Sequence, residues 1–330
     1  MADAGPKPQF ASQAAMSDDA SRARVALAFF CILVVWGTTY LAIAIVLRSF
    51  PPFASAAIRF LLASSLLYGW LRLQGPRPLA GLPTRTVIAS GILMCGLGNG
   101  FTVFAMQGVP TGVAALLNST IPICVTLLDW GFFKRRRPRI WTGIGLMAGV
   151  AGVALIVRQA SSLSGMRGIG YLPALTIAVT AWSVGTLVQR HAVPKERLLA
   201  LGCGQMAAGG AFLCLAALVH GEAPRIDLPS VTSSGWLALL YLAAFGSILA
   251  QSSYLWLLAR MPAEKVTTYA VVNPVIALTL GALVLGEPVT VTSALGAMLV
   301  LGGVALVLFE RHVANAVATI LARPRRSGAA

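Results

Sequence analysis

The side chains of this sequence that could do chemistry are polar or aromatic residues set within long apolar runs. Asp129 is the only acid well inside such a run, and Arg59 lies about one helical turn into another. Isolated charges in apolar runs are costly and are usually functional. Asp129 is therefore a candidate for proton coupling, although we favour the alternative that its carboxylate extends toward the basic loop at Lys134. Arg59 could bind the carboxylate of an anionic solute, or it could extend to the outer interface and fix the depth of its helix.

The uncharged candidates for a solute site are amides and aromatic side chains. Trp36 and Tyr40 are four residues apart and Gln251 and Tyr254 are three apart, so each pair shares one face of a helix. Such a set suits an amphipathic solute, while hydrogen bonding between helices is the alternative for each member. The substrate-binding candidates are Trp36, Tyr40, Arg59, Asn99, Asn118, Trp182, Gln205, Gln251, Tyr254 and Asn273, with Gln107, Trp256 and Tyr269 as further polar or aromatic residues of the same kind.

The residue patterns of enzymes and metal sites are missing from the sequence. The five cysteines lie in apolar runs without CxxC spacing, and the three histidines fall in predicted loops or in the tail. The glycine-rich run GLGNG at Gly96 to Gly100 lacks the Lys-Ser/Thr of a phosphate-binding loop. We therefore expect no catalytic residues, no metal and no cofactor.

Composition predicts a membrane protein. Of the 330 residues, 57% are hydrophobic and 11% are charged, against about 25% charged in ordinary globular proteins; the mean hydropathy is +0.81. The net charge of +15 arises as much from the scarcity of acidic residues, of which there are only ten, as from an excess of basic ones. The expected partners are a small-molecule solute and the lipid bilayer, with a homodimer left open, and no nucleic acid.

Ten apolar runs are long enough for the roughly 20 residues that a helix needs to cross a bilayer. Helices satisfy all of their backbone groups within lipid, so we predict an all-α integral membrane protein. Residues 1–23 precede the first run as a polar tail. The predicted spans are Val25–Leu47, Phe53–Leu71, Thr86–Met106, Gly112–Phe133, Ile140–Val157, Ile169–Val188, Leu198–Val219, Gly235–Leu258, Val266–Leu285 and Val289–Phe309.

The basic residues orient these spans. With the N-terminus inside, 20 of the 25 lysines and arginines fall in inside segments, as expected for cytoplasmic loops. An even number of spans places both termini in the cytoplasm. The densest basic run, Lys134 to Arg139, is then a short cytoplasmic connector and an orientation signal, because a six-residue connector offers no broad surface for nucleic acid.

An internal repeat divides the chain into two halves. Pro110 and Pro122 recur as Pro262 and Pro274 at an offset of 152, and GLMAGVAGVAL at 145–155 matches GAMLVLGGVAL at 296–306 at an offset of 151. Five spans in each half make the two repeats inverted, which suits alternating access around a shared midplane site. Pro122 and Pro274 each free a backbone carbonyl four residues earlier, which could face a substrate; the alternative is a simple kink that aids packing.

Several motifs resemble the EamA-type branch of the drug/metabolite transporter superfamily. They are WGTTY at 36–40, PPFASAAIRF at 51–60, and the stretch from LLYLAAFGS at 239–247 through LGEP at 285–288 to the glycine-rich end. The resemblance implies two repeats, at 24–158 and 168–310, followed by a basic cytoplasmic tail at 311–330. One departure is that Glu287 lies thirteen residues after Pro274, whereas Arg135 occupies the equivalent place after Pro122. We expect Glu287 to form a structural cap or loop contact.

The resemblance also implies a function. Such proteins move small metabolites, amino acids or toxic compounds, so the expectation is a secondary-type transporter of the cytoplasmic (inner) membrane that exports a small solute by alternating access. An importer or permease is the alternative. The remaining alternatives are a membrane-embedded enzyme and a scaffold. A midplane pocket formed by helices of both halves would argue against a scaffold.

Overall fold

A computed structural model describes residues 8–133, 140–163, 170–190, 193–261, 266 and 269–308. The basic run Lys134 to Arg139, Pro262, Glu264 and the tail 311–330 lie outside these residues. All regular structure in the described ranges is helical. The helices are α1 (Pro8–Val46), α2 (Pro52–Gln74), α3 (Thr84–Ala105), α4 (Thr111–Asn118), α5 (Ile121–Phe133), α6 (Ile140–Leu163), α7 (Leu172–Gln189), α8 (Leu198–Val219), α9 (Ser233–Leu258), α10 (Tyr269–Leu285) and α11 (Val291–Leu308), with short 3₁₀ turns between α7 and α9.

Seven helical stretches are long and apolar enough to cross a membrane, and they match the predicted spans one to four and six to eight. Shorter apolar helical stretches, Gly143–Leu155, Val272–Leu285 and Val291–Leu306, lie at the predicted fifth, ninth and tenth spans. The chain is therefore an all-helical, multi-pass membrane protein, as its composition predicted.

The first helix begins earlier than its predicted span. The apolar stretch is Ala23–Val46, yet the helix starts at Pro8, inside the segment predicted as a polar tail. Proline suits the first turn of a helix, and no glycine or further proline interrupts residues 9–36. The hydropathy that locates a membrane span therefore underestimates the length of this helix.

Two helices contain π-helical segments that the sequence did not predict. Ile92–Asn99 lies within α3, and Leu242–Leu249 lies within α9, starting 150 residues later in the chain. A π-helical turn bonds residue i to i+5, which widens the helix and occurs frequently at functional sites. This offset of 150 residues is close to the offset of 152 that relates Pro110 and Pro122 to Pro262 and Pro274.

The predicted fourth span is divided in two by a break. Helix α4 ends at Asn118 and α5 begins at Ile121, immediately before Pro122. Proline has no N–H to donate to the carbonyl four residues earlier, which belongs to Asn118. The hydroxyls of Ser119 and Thr120 each donate to a carbonyl three residues back, at 2.6 Å. Pro274, in contrast, lies inside the continuous helix α10.

Helices α6 and α11 pack closely through glycines. A Cβ on Gly152 would lie 2.7 Å from the carbonyl oxygen of Gly296, and one on Gly303 would collide with the carbonyl of Gly145. These four glycines belong to the two matching segments. At the offset of 151, Gly145 corresponds to Gly296 and Gly152 to Gly303, so each contact is the counterpart of the other. Such reciprocal contact is typical of elements related by a two-fold axis.

Two carboxylates cap helix N-termini across long stretches of sequence. Glu222, which is 0% exposed, accepts from the backbone N–H groups of Phe53 at 3.3 Å and Ala54 at 2.8 Å, at the start of α2. Glu287 accepts from the N–H of Thr111 at 2.9 Å and from its hydroxyl at 2.7 Å, at the start of α4. The contact of Glu287 confirms the predicted cap. Carboxylates are favourable there because helix N-termini present unpaired N–H groups and positive potential.

We expect Glu222→Ala to lower the free energy of unfolding by about 1–3 kcal/mol, because the buried N–H groups of Phe53 and Ala54 lose their acceptor. Thermal or denaturant unfolding of the detergent-solubilised protein measures the change. Asp227→Ala is the matched control, since Asp227 is an exposed carboxylate in the same loop without a side-chain capping bond. Equal stability of the two variants would contradict the capping role.

Candidate functional site

A cavity of about 80 Å³ lies among α1, α2, α3, α4, α7 and α10 and the first residue of α5, Ile121. Its walls contain seven of the ten predicted substrate-binding residues. These seven are Trp36, Tyr40, Arg59, Asn99, Asn118, Trp182 and Asn273. The cavity therefore gathers residues from four of the first five predicted spans and from two of the last five.

Arg59 is the charged residue of this cavity. Its side chain is buried, with the residue only 3% exposed. Nε donates to the hydroxyl of Ser247 at 2.8 Å, and Nη1 donates to Oδ1 of Asn99 at 3.2 Å. The ion pairs found among the described residues involve other side chains, so within that part of the chain the partners of Arg59 are neutral. Arg59 therefore lines the cavity as a buried residue and does not extend to an interface.

Both π-helical segments contribute to the surroundings of Arg59. Asn99 is the last residue of the first segment, and Ser247 lies in the second. The indole N–H of Trp36 donates to the carbonyl of Gly246 at 3.1 Å. A Cβ on Gly246 would lie 3.0 Å from Nη2 of Arg59, so the absence of a side chain there gives the guanidinium its space.

The break between α4 and α5 faces the same cavity. Nδ2 of Asn118 donates to the hydroxyl of Tyr40 at 3.1 Å and to Oγ1 of Thr102 at 3.3 Å. Because proline has no N–H, the carbonyl of Asn118 lacks a helical donor at Pro122, and the carbonyl of Ala270 lacks one at Pro274. Asn118 and Ala270 both line the cavity. The structure therefore places the two predicted helix-breaking prolines one turn from the candidate site.

Four aromatic residues from four helices form a cluster at one wall. The ring centroid of Trp36 lies 5.7 Å from that of Trp182, 5.3 Å from Tyr254 and 4.8 Å from Tyr269. Trp36, Trp182 and Tyr269 line the cavity, whereas Tyr254 is fully buried behind them. Aromatic pairs at these distances stabilise the contact between their helices and present apolar faces to the cavity.

Asn273 contributes from α10. With its amide nitrogen turned toward the backbone, it donates to the carbonyl of Leu33 at 3.0 Å and to that of Tyr269 at 3.3 Å. It thereby joins α10 to α1 at the edge of the cavity.

The sequence prediction missed the hydroxyl residues of the site. Thr39, Thr102 and Ser119 line the cavity, and Ser247 holds Arg59 from behind. Serine and threonine are common in membrane helices, where their hydroxyls bond to carbonyls of their own helix. One available signal was position: Thr39 lies between Trp36 and Tyr40, and Ser119 follows Asn118.

Two predicted site residues lie elsewhere in the bundle. Gln205 is 0% exposed, and its Nε2 donates to the hydroxyl of Ser90 at 2.8 Å and to Oε1 of Gln189 at 2.6 Å. Gln251 is buried on the same face of α9 as Tyr254 but does not line the cavity. For Gln205, hydrogen bonding between helices is the role that the structure supports.

Asp129 has a partner that the sequence analysis did not name. Its Oδ1 lies 3.2 Å from Nη1 of Arg190, at the end of α7, and the two side chains are 16% and 22% exposed. This ion pair joins α5 to α7. Lys134, the expected destination of the carboxylate, lies outside the described residues, and the coupling role of Asp129 stays a prediction.

The described residues contain no group of three or more His, Cys, Asp or Glu side chains that could hold a metal ion. The five cysteines are unpaired thiols.

Comparison with known proteins identifies relatives of the chain. Residues 23–158 and 168–309 each match the EamA-like transporter family. The chain is 34% identical over 289 residues to an "Uncharacterized inner membrane transporter YedA" of Escherichia coli strain K12, covering 87% of this chain and 91% of that one. It is 24% identical over 293 residues to a "Probable amino-acid metabolite efflux pump" of the same strain, covering 87% and 95%. A solved crystal structure shares the fold with a TM-score of 0.61 at 21% identity, covering 90% of this chain and 98% of the other.

We expect Gln205→Met to destabilise the protein without changing solute binding. Ser90 and Gln189 lose a buried partner, which costs about 1–3 kcal/mol, but the cavity at Arg59 keeps all of its lining residues. Asn118→Ala is the matched comparison, because it alters the cavity itself. Unfolding temperature and transport rate per folded molecule distinguish them; a loss of transport in Gln205→Met equal to that of Asn118→Ala would contradict this assignment.

Proposed function

From its membership of the EamA-like transporter family, whose members are membrane transporters and not enzymes, we propose a specific function for the chain. It exports small carboxylate-bearing solutes across the inner membrane by alternating access. The observation that carries the proposal is Arg59, a buried cation with neutral protein partners that faces a cavity walled by aromatic rings.

The charge of Arg59 favours an anionic group on the solute. A guanidinium has five N–H donors in a planar fork, and the two bonds to Ser247 and Asn99 use two of them. A buried charge is costly unless it is paired, and a carboxylate can accept two parallel bonds from arginine. A solute carboxylate would therefore offset part of the cost of burying this charge.

The remainder of the cavity wall suits an apolar or aromatic portion of the solute. Trp36, Trp182 and Tyr269 offer ring faces on one wall, and Asn118 and Thr102 offer polar groups on another. Ligand sites typically combine an apolar lining with a few placed polar groups. An aromatic or branched amino acid, or a related organic acid, has both features.

The size of the cavity supports a conformational cycle. About 80 Å³ is well below the roughly 300 Å³ of a typical small-molecule site. Contacts between the two family-matched segments occur at both ends of the fourth span: Glu287 with Thr111 at one end and Arg190 with Asp129 at the other. We interpret this arrangement as a contracted, occluded state that must open on one side to load a solute.

Ten crossings in two inverted repeats would give this cycle its symmetry. The support consists of the reciprocal glycine contacts between α6 and α11, the two π-helical segments, and the contact between Trp36 and Trp182, the tryptophans of the first span in each half. If two similar bundles exchange conformations, the inward-open and outward-open states become nearly equivalent.

We expect Arg59→Gln to lower transport of a carboxylate solute by about 10-fold to 100-fold, the equivalent of a lost charge-assisted hydrogen bond. The measurement is flux in proteoliposomes over a metabolite panel containing matched pairs, such as phenylalanine and phenethylamine. Arg48→Gln is the control, since Arg48 is exposed and does not line the cavity; it should transport normally.

Three outcomes would count against parts of the proposal. Equal transport of acid and amine, unaffected by Arg59→Gln, would remove the anionic-solute claim. Net uptake into right-side-out vesicles under every gradient would favour an importer. A folded protein that moves no member of the panel in either direction would contradict transport of this solute class.

The topology is tested separately. We expect tags at Arg136 and Arg225 to be labelled from opposite sides of the membrane, with Arg136 on the cytoplasmic side, because the basic residues favour that orientation. Impermeant-reagent labelling of intact cells measures this, with labelling after permeabilisation as the reference for cytoplasmic positions. Labelling of both positions from one side would overturn the predicted arrangement.

A further inference from the structure

A second cavity, of about 470 Å³, lies where α7 ends, α8 begins and α9 ends. Its lining shares no residue with the cavity at Arg59. It combines the cations Arg190 and Lys195 with the leucine side chains Leu198, Leu201, Leu255 and Leu258. A cavity with charge beside an apolar wall suits an amphipathic ligand.

The two cations can both meet an anion at this cavity. Arg190 uses Nη1 for Asp129, which leaves the other N–H donors of its guanidinium for a second acceptor. Lys195 is exposed and lines the same cavity, while the neighbouring Glu196 does not. Among the described residues that line the cavity, Arg190 and Lys195 are cations and none is a carboxylate; Asp129, the partner of Arg190, lies outside the lining.

The location matches the boundary between lipid and water. Leu255 and Leu258 belong to the last turn of α9, where Trp256 also lies. The guanidinium of Arg260 lies 3.9 Å from the ring centroid of Trp256. Tryptophan is enriched at membrane interfaces, and arginine near helix ends extends its charge to the headgroup level. The cations of the cavity are thus expected at headgroup depth, with the partly exposed Leu198 and Leu258 on the hydrocarbon side and the buried Leu201 and Leu255 forming the inner wall.

We propose that this cavity binds an anionic phospholipid, with the phosphate held by Arg190 and Lys195 and the first part of an acyl chain packed on the partly exposed side chains of Leu198 and Leu258. Basic cavities between membrane helices on the cytoplasmic side recognise anionic headgroups. A zwitterionic lipid presents the same phosphate together with a cation, which Lys195 repels, whereas the charge of Arg190 is already paired with Asp129. The site therefore discriminates by headgroup charge.

The test is native mass spectrometry of the detergent-purified, full-length chain with phosphatidylglycerol, phosphatidylcholine and inorganic phosphate as separate probes. We expect retention of phosphatidylglycerol at least five-fold above phosphatidylcholine, and a loss of that preference in Lys195→Gln. Arg85→Gln is the control, because Arg85 is an exposed arginine at the start of α3 that does not line the cavity.

Lys195→Gln is the main variant because the exposed Lys195 side chain forms no ion pair among the described residues, whereas Arg190 also pairs with Asp129. Arg190→Lys, which keeps the charge, should retain the lipid preference. Equal retention of both lipids, or unchanged preference in Lys195→Gln, would overturn the proposal. Displacement of phosphatidylglycerol by millimolar inorganic phosphate would assign the site to a free anion in place of a lipid.

Discussion

The burial of Arg59 is the constraint on which the centre of this structure depends. A guanidinium away from water must have its donors satisfied, and Asn99 and Ser247 satisfy two of them from two different helices. Each partner lies in a π-helical segment, and Gly246 leaves room for Nη2. The π-helical segments of α3 and α9 and the buried position of Arg59 are thus linked. An ordinary α-helical turn would place Asn99 and Ser247 differently.

The other buried charge is resolved in a different way. Within the described residues, the buried charged side chains are Arg59 and Glu222, which are 3% and 0% exposed. Glu222 accepts from two backbone N–H groups at the start of α2, so the protein itself compensates its charge. Among the described residues, Arg59 contacts neutral groups: Ser247 and Asn99 through hydrogen bonds, and the ring of Phe60, whose centroid lies 4.9 Å from Cζ. The difference explains why Glu222 is structural and why Arg59 is suited to a ligand.

The sequence was a good guide to which segments are helical and a partial guide to the site. Hydropathy located the apolar stretches because lipid requires long apolar helices, and seven of ten site candidates line one cavity. The π-helical segments were missed because no residue pattern of period 3.6 marks them. Gln205 was assigned to the site because residue type alone does not distinguish an amide that faces a cavity from one that bonds to Ser90 on a neighbouring helix. Glu287 was assigned correctly because its place at a helix end limits what a carboxylate can do.

The irregular points of the helices share one level of the bundle. The break before Pro122, the proline inside α10 and the end of the first π-helical segment all adjoin residues that line the cavity at Arg59. Where backbone bonds are missing or widened, a helix can bend with few further bonds to break. Helices α6 and α11, by contrast, are joined by glycine contacts that leave no space for adjustment. Under the alternating access that we propose, a bundle built in this way bends at the candidate site, so the groups that would contact a solute are also the groups that would move when either side opens.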